Sequence, residues 1–203
     1  QFYLQEQKQD SAYYYSKLAF DNLPNNMPHY NIYMNTLVNR KDIEEINKTF
    51  EYVRSLAGDT KLIWNIYLRS VAQVTALGDP FAMSKAAEAF KLFPQDDDIF
   101  GLYRIMTYGQ KRVVQAEQLY KKGTLLYNEK KFEQAFDLFN QAFDLDPLEY
   151  TYALNTGFAL YENGKGEEAI QYFKIAGNSQ KSAVKEKAMR YTALSFYKIG
   201  AQS

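Results

Sequence analysis

The sequence predicts an all-α protein: a curved α-α superhelix, or solenoid, of about five antiparallel helix pairs and roughly eleven helices. Three observations lead there. Glycine and proline, the residues that punctuate chains of short strands, number only 10 and 5 in 203 residues. Small and aromatic residues recur at one interval: Gly123 and Gly157, Ala135 and Ala169, Phe139 and Phe173, and Ala142 and Ala176 each lie 34 residues apart. The turn signals LPNNMP, AGDT, LGDP, FPQDDD, LDP and NGKG separate most of the segments between them.

In chain order, helices are expected near 3–22, 28–39, 42–56, 60–76, 80–93, 98–109, 111–128, 131–145, 149–163, 166–177 and 181–199. In the first, Ala12, Ala19 and Pro24 keep the spacing of Ala135, Ala142 and Pro147. Trp64 follows Tyr30 by 34 residues, Phe50 continues the aromatic stripe, and AFKLFP (89–94) closes a unit as AFDLDP does. The repeat at 116–178 is regular. ALSFYKIG (193–200) extends it, with Ala193 at the place of Gly157 and an offset of 36. The irregular part is 95–115. Either one helix has been lost from a unit there, or 98–128 forms one long helix across Gly109. The expected organisation is degenerate repeats over 1–94, an irregular junction over 95–115, and regular repeats over 116–203 ending in a capping helix.

The series Gly123, Phe132, Ala135, Phe139, Ala142, Pro147 resembles the tetratricopeptide repeat, whose period is also 34. Gly166 departs from it by replacing the aromatic of Phe132, and a tighter turn in YENGKGEE accounts for the change. The physics agrees with the resemblance. Gly123 and Gly157 stand where one helix must approach its partner closely. Ala135, Phe139 and Ala142 form a small–large–small stripe suited to interlocking helices. Pro147 stops the second helix, because proline disfavours helical geometry in the residue before it.

Composition excludes several function classes. The 24 basic and 24 acidic residues cancel, so no net field favours nucleic acid, anionic membrane or acidic substrates. Lysine pairs 121–122 and 130–131 are interleaved with Glu117, Glu129 and Glu133, as on a solvated face. Without cysteine there are no disulfides, thiolate metal sites or Cys nucleophile. No apolar run approaches the ~18 residues of a membrane span, and no signal-peptide pattern is legible near the start. Because the sequence starts with Gln1, a fragment or processed form of a longer protein is expected. The single histidine, His29, has no base, nucleophile or orienting group at a useful spacing. Asp96–Asp98 lacks the alternation and glycine of a calcium loop and suits a helix N-terminus instead. NGKGEE lacks phosphate-loop spacing. These residues predict no enzyme, no metal and no cofactor.

In such an array the first helix of each pair lines the concave side. On 28–39, Tyr30, Tyr33, Met34 and Leu37 form the packed face, and Asn31, Asn35 and Asn39 lie opposite at 100° per residue. On the next first helix Asn65, Arg69 and Gln73 lie opposite Trp64, Tyr67, Leu68 and Val71. The two polar lines are in 34-residue register. Lysine and glutamate would serve an idle face better than asparagine, whereas an amide matches a peptide backbone with both donor and acceptor. Carried forward, the same face holds Tyr120, Thr124, Tyr127 and Asn128, then Leu154, Phe158 and Tyr161, then Arg190, Leu194 and Tyr197; Asn155 and Lys187 join the candidate groove through the family resemblance. Aromatic lining suits an apolar anchor or a sugar ring.

Membership of the tetratricopeptide family would imply a groove for an extended peptide or a partner's helix. Asn155 and Lys187 match part of the family's carboxylate clamp for chaperone C-termini. Tyr120 and Thr124 do not, so a cochaperone is not expected. The expected function is a non-catalytic protein- or peptide-binding scaffold, with no nucleic acid and no membrane insertion of this segment. An alternative comes from SKLAFDNLPNN, IYMNTLV and DPFAMSKAAEAFKLFP, over roughly 12–94. These stretches resemble repeat regions attached to bacterial O-antigen-ligase-like membrane proteins. That resemblance implies a soluble periplasmic region of a larger polysaccharide enzyme, contacting glycan, and it favours the cell envelope over the cytoplasm. A structural scaffold without ligand is the third reading.

Overall fold

A computed structural model describes residues 2–200, with side chains from residue 8 onward. Among these residues there are eleven helices and no strand: α1 (Phe2–Asn22), α2 (Met27–Arg40), α3 (Ile43–Ala57), α4 (Lys61–Val74), α5 (Pro80–Leu92), α6 (Asp97–Tyr108), α7 (Gln110–Asn128), α8 (Phe132–Leu145), α9 (Tyr150–Glu162), α10 (Gly166–Ala176) and α11 (Ser182–Gly200). The fold is all-α and tetratricopeptide-like, with α1 to α5 packed consecutively and α7 to α11 packed consecutively. Every predicted helix is present, with ends within two residues of expectation. The chain divides into two compact units, one through Thr107 and one from Tyr108. Gly109, at φ +85°, decides between the two readings of 98–128. It breaks the backbone between α6 and α7, so the single long helix does not form.

In the first unit, α2 packs against α1, α3 and α4, and α4 against α3 and α5. Stacked rings fill the seams: Phe20 on Tyr33 at 5.0 Å, Phe50 on Tyr67 at 3.8 Å, and Phe90 on Phe100 at 4.8 Å. Trp64, Tyr30, Tyr33, Tyr67 and Phe50 are wholly buried. Each contributes about 1.5–3 kcal/mol from removal of apolar surface. In the second unit each helix from α7 to α10 packs on its successor. The rings of Phe139 and Phe173 lie against Gly123 and Gly157. A Cβ on those glycines would come within 2.8 and 2.6 Å of them. That is the close approach anticipated from the 34-residue pattern.

Capping explains the boundaries. Asn26, Asp42, Thr60, Asp79 and Asp96 each accept a backbone N–H three residues ahead, removing an orphan donor at a helix start. Two helix ends carry lysine in the left-handed region, Lys41 at φ 56° and Lys130 at φ 61°. The register mate of Lys130 is Gly164, at φ +80°. A non-glycine residue there costs about 1–2 kcal/mol. Lys130→Gly is therefore expected to stabilise the protein by about 1 kcal/mol, raising the thermal midpoint by about 2–4 °C. Calorimetry would check this against Lys131→Gly, where φ is −86° and no gain is expected.

Candidate functional site

The polar line of α2 is positioned by a fully built helix. Asn26 caps its start, Pro28 sits in its first turn, and Lys41 closes its end by donating to the carbonyls of Leu37 and Val38. Tyr30, Tyr33, Met34 and Leu37 are buried, which rotates Asn31, Asn35 and Asn39 into solvent. None of the three amides makes a hydrogen bond to the described residues.

The equivalent line on α4 is different. Arg69 Nε donates to Asn65 Oδ1 at 2.6 Å, Gln73 Nε2 donates to the Arg69 carbonyl at 3.0 Å, and Arg69 Nη2 lies 3.9 Å from Asp98 on α6. The α4 line is closed on itself, whereas the α2 line is open. Spacing alone makes the two look alike.

Beneath α4 a polar network holds the helix from below. The Trp64 indole N–H donates to Asp59 Oδ1 at 2.7 Å, and Arg54 Nε reaches the same carboxyl at 2.7 Å. The Tyr67 hydroxyl donates to Asn47 at 2.9 Å. Glu51 and Lys85 pair at 3.2 Å, and Arg54 and Glu88 at 3.1 Å. Each pair joins the same repeat position on α3 and α5, 34 residues apart, with opposite charges. Burial pushes the Asp59 carboxyl up, but the hydrogen bonds from Trp64 and Arg54 outweigh it and hold the group below its ordinary range. A carboxylate with a depressed folded-state pKa contributes stability that is present above its unfolded pKa, near 4, and is lost as pH falls through the folded value. Asp59→Asn should therefore lower the urea midpoint at pH 7. The difference from the parent should shrink as pH falls from 4 to 2.

The second unit treats its expected aromatic wall mostly as packing. Tyr120 is half-buried, 5.1 Å from Tyr152 and 5.5 Å from Phe139. Burial raises its hydroxyl pKa. Thr124 donates to the Tyr120 carbonyl at 2.9 Å, and Tyr127 meets Phe132 edge-on at 5.3 Å. Asn155 Nδ2 donates to the Thr151 carbonyl at 2.7 Å and approaches the Tyr120 hydroxyl at 3.4 Å. Leu154 is buried rather than lining a groove.

Phe158 and Tyr161 both contact Tyr191, at 4.5 and 5.7 Å, and Lys198 lies 4.8 Å over Tyr161. Tyr191 also meets Phe173 and sits under Arg190. The helical spacing does not mark Tyr191, although its position mirrors Asn155 at the 36-residue offset. Asn128, Lys187, Arg190, Leu194 and Tyr197 face solvent, Tyr197 at 77% exposure.

No grouping of three or more His, Asp or Glu that could hold a metal occurs among the described residues. No helix among them is long and apolar enough to cross a membrane.

No family model matches the chain, and no curated protein matches it. Among solved structures it is similar to one titled as the crystal structure of MamA protein. The two are 15% identical with a TM-score of 0.33, over 89% of this chain and 87% of that one. The repeat architecture rests on the packing described above rather than on this likeness. None of these comparisons supports the resemblance of 12–94 to O-antigen-ligase-like proteins.

Proposed function

We propose that this chain is a non-catalytic scaffold that binds a protein segment in extended form, with α2 supplying the backbone-reading surface. The carrying observation is the row Asn31, Asn35, Asn39: solvent-facing, four residues apart, and uncommitted to any partner among the described residues. Successive amides rise about 6 Å along the helix, and an extended peptide repeats every two residues at about 6.6–6.8 Å. A peptide laid along α2 meets one amide at every second residue, and each amide offers both a donor and an acceptor. Recognition of this kind is indifferent to peptide side chains. Selectivity falls to neighbouring groups: in the first unit Arg69 on α4, whose exposed guanidinium exchanges its long 3.9 Å contact with Asp98 for an acidic side chain while keeping its bond to Asn65, and in the second Arg190 and Tyr197 on α11.

The inner-face residues of the second unit belong to the same reading in two grades. Asn128, Lys187, Arg190 and Tyr197 are free to touch a ligand. Tyr120, Thr124, Tyr127, Asn155, Phe158 and Tyr161 shape the floor beneath it. An extended-peptide library and an oligosaccharide panel, titrated in parallel, separate peptide from glycan. Peptide binding is expected to weaken about tenfold or more in the Asn35→Ala, Arg69→Ala double variant. Its thermal midpoint should stay within about 2 °C of the parent, as for exposed substitutions. Unchanged peptide binding, or binding of oligosaccharide alone, contradicts the reading.

A further inference from the structure

Four-residue steps along the expected inner face of the second unit give three rows: Tyr120, Thr124 and Asn128 on α7, Leu154, Phe158 and Glu162 on α9, and Arg190, Leu194 and Lys198 on α11. Only the α11 row is exposed along its whole length, with Leu194 at 40%. It has a base at each end and an apolar residue between them. Both cations lie on aromatic rings: the Arg190 guanidinium 5.2 Å over Tyr191 and the Lys198 ammonium 4.8 Å over Tyr161. Those rings are themselves fixed, since Tyr191 packs on Phe158 at 4.5 Å and on Tyr161 and Phe173 at 5.7 Å. A ring holds a cation in place without neutralising it. Neither base has a carboxylate partner among the described residues. In the first unit, by contrast, Lys17, Arg40, Lys48, Arg54, Lys61 and Lys85 all have one.

The spacing says what kind of ligand fits. Arg190, Leu194 and Lys198 follow one another at about 6 Å along one side of the helix. Alternate residues of an extended chain point the same way at intervals of about 6.6–6.8 Å. Three successive same-side residues of a peptide therefore fall on the base, the leucine and the base. Charge pairing calls for acids at the outer two and an apolar residue at the centre, in the order acid–any–apolar–any–acid. Tyr197, 77% exposed and three residues beyond Leu194, adds apolar area beside the central position. The surrounding acids narrow the class further. Glu186 stands one turn before Arg190, and Glu162 is the register mate of Lys198 on α9, both exposed. They repel a continuous polyanion but leave room for two isolated carboxylates. Because both cations are already held by rings, little side-chain freedom is lost when they are paired.

We propose that the Arg190, Leu194, Lys198 row selects a protein segment of the pattern acid–any–apolar–any–acid. This rests on the peptide-binding reading above but not on the amide row of α2. The probe is the peptide acetyl-GSGESLSEGSG-amide, with both ends blocked so that its carboxylates are all side chains. It is titrated into the ¹⁵N-labelled chain with NMR readout, and the backbone signals from Arg190 to Lys198 are expected to shift. Replacing both peptide glutamates by glutamine should weaken binding at least about tenfold. Acetyl-GSGESLESGSG-amide has the same charge, but its second acid points away, and it should bind at least about threefold more weakly. Arg190→Glu, at an exposed position that leaves the helical circular dichroism unchanged, should cost at least about tenfold. Binding to that variant should be recovered by one of two charge-swapped peptides, acetyl-GSGKSLSEGSG-amide or acetyl-GSGESLSKGSG-amide, and the one that succeeds gives the direction of the segment. Equal binding of the glutamine or displaced-acid peptide overturns this inference and leaves the reading of α2 standing. So does a failure of both charge-swapped peptides to recover binding, or a set of shifts that avoids α11. Failure of every peptide to bind overturns both readings.

Discussion

A phenylalanine ring set against a glycine is the contact on which the second unit depends. Phe139 on Gly123 and Phe173 on Gly157 bring each second helix close enough for its alanines, Ala135, Ala142, Ala169 and Ala176, to be wholly buried. Those alanines lose little side-chain entropy on burial, so the large rings supply most of the apolar area and the small residues set the distance. The first unit reaches the same end with other residues. Its seams are ring on ring, Phe20 on Tyr33 and Phe50 on Tyr67, and charge pairs between register positions tie α3 to α5. Two packing solutions serve one repeat length.

The consequence for function is that the packed faces fix which side chains remain outside. Once Tyr30, Tyr33, Met34 and Leu37 are committed inward, Asn31, Asn35 and Asn39 have nowhere to go but solvent. Once α10 occupies one side of α11, Met189 and Phe196 are left on another. Neither surface needs a catalytic group. One offers hydrogen-bonding amides, and the other exposes apolar side chains.

Much of this was legible in the residues. The period, the helix count and the buried stripe follow from glycine, alanine, phenylalanine and proline at fixed intervals, because those types act through size and backbone preference alone. Other features depend on distances between side chains, which spacing does not encode. The register treats Asn31/Asn35/Asn39 and Asn65/Arg69/Gln73 as equivalent, yet Arg69 is long enough to reach back to Asn65 and forward toward Asp98, and asparagine is not. Tyr191 is hidden for the same reason: spacing does not show that its ring reaches Phe158, Tyr161 and Phe173. At 95–128 the residues allowed two outcomes, and the positive φ of Gly109 selected the broken helix.

The ring-on-glycine account is tested most directly by a double-mutant cycle on Gly157 and Phe173, read from urea unfolding. Gly157→Ala alone should destabilise by about 1–3 kcal/mol through overpacking against the ring. With Phe173→Leu already present the same change should cost much less, leaving a coupling of at least about 1 kcal/mol. Strict additivity of the two substitutions would contradict the account, since it would mean that the glycine does not hold the helices close by admitting the ring.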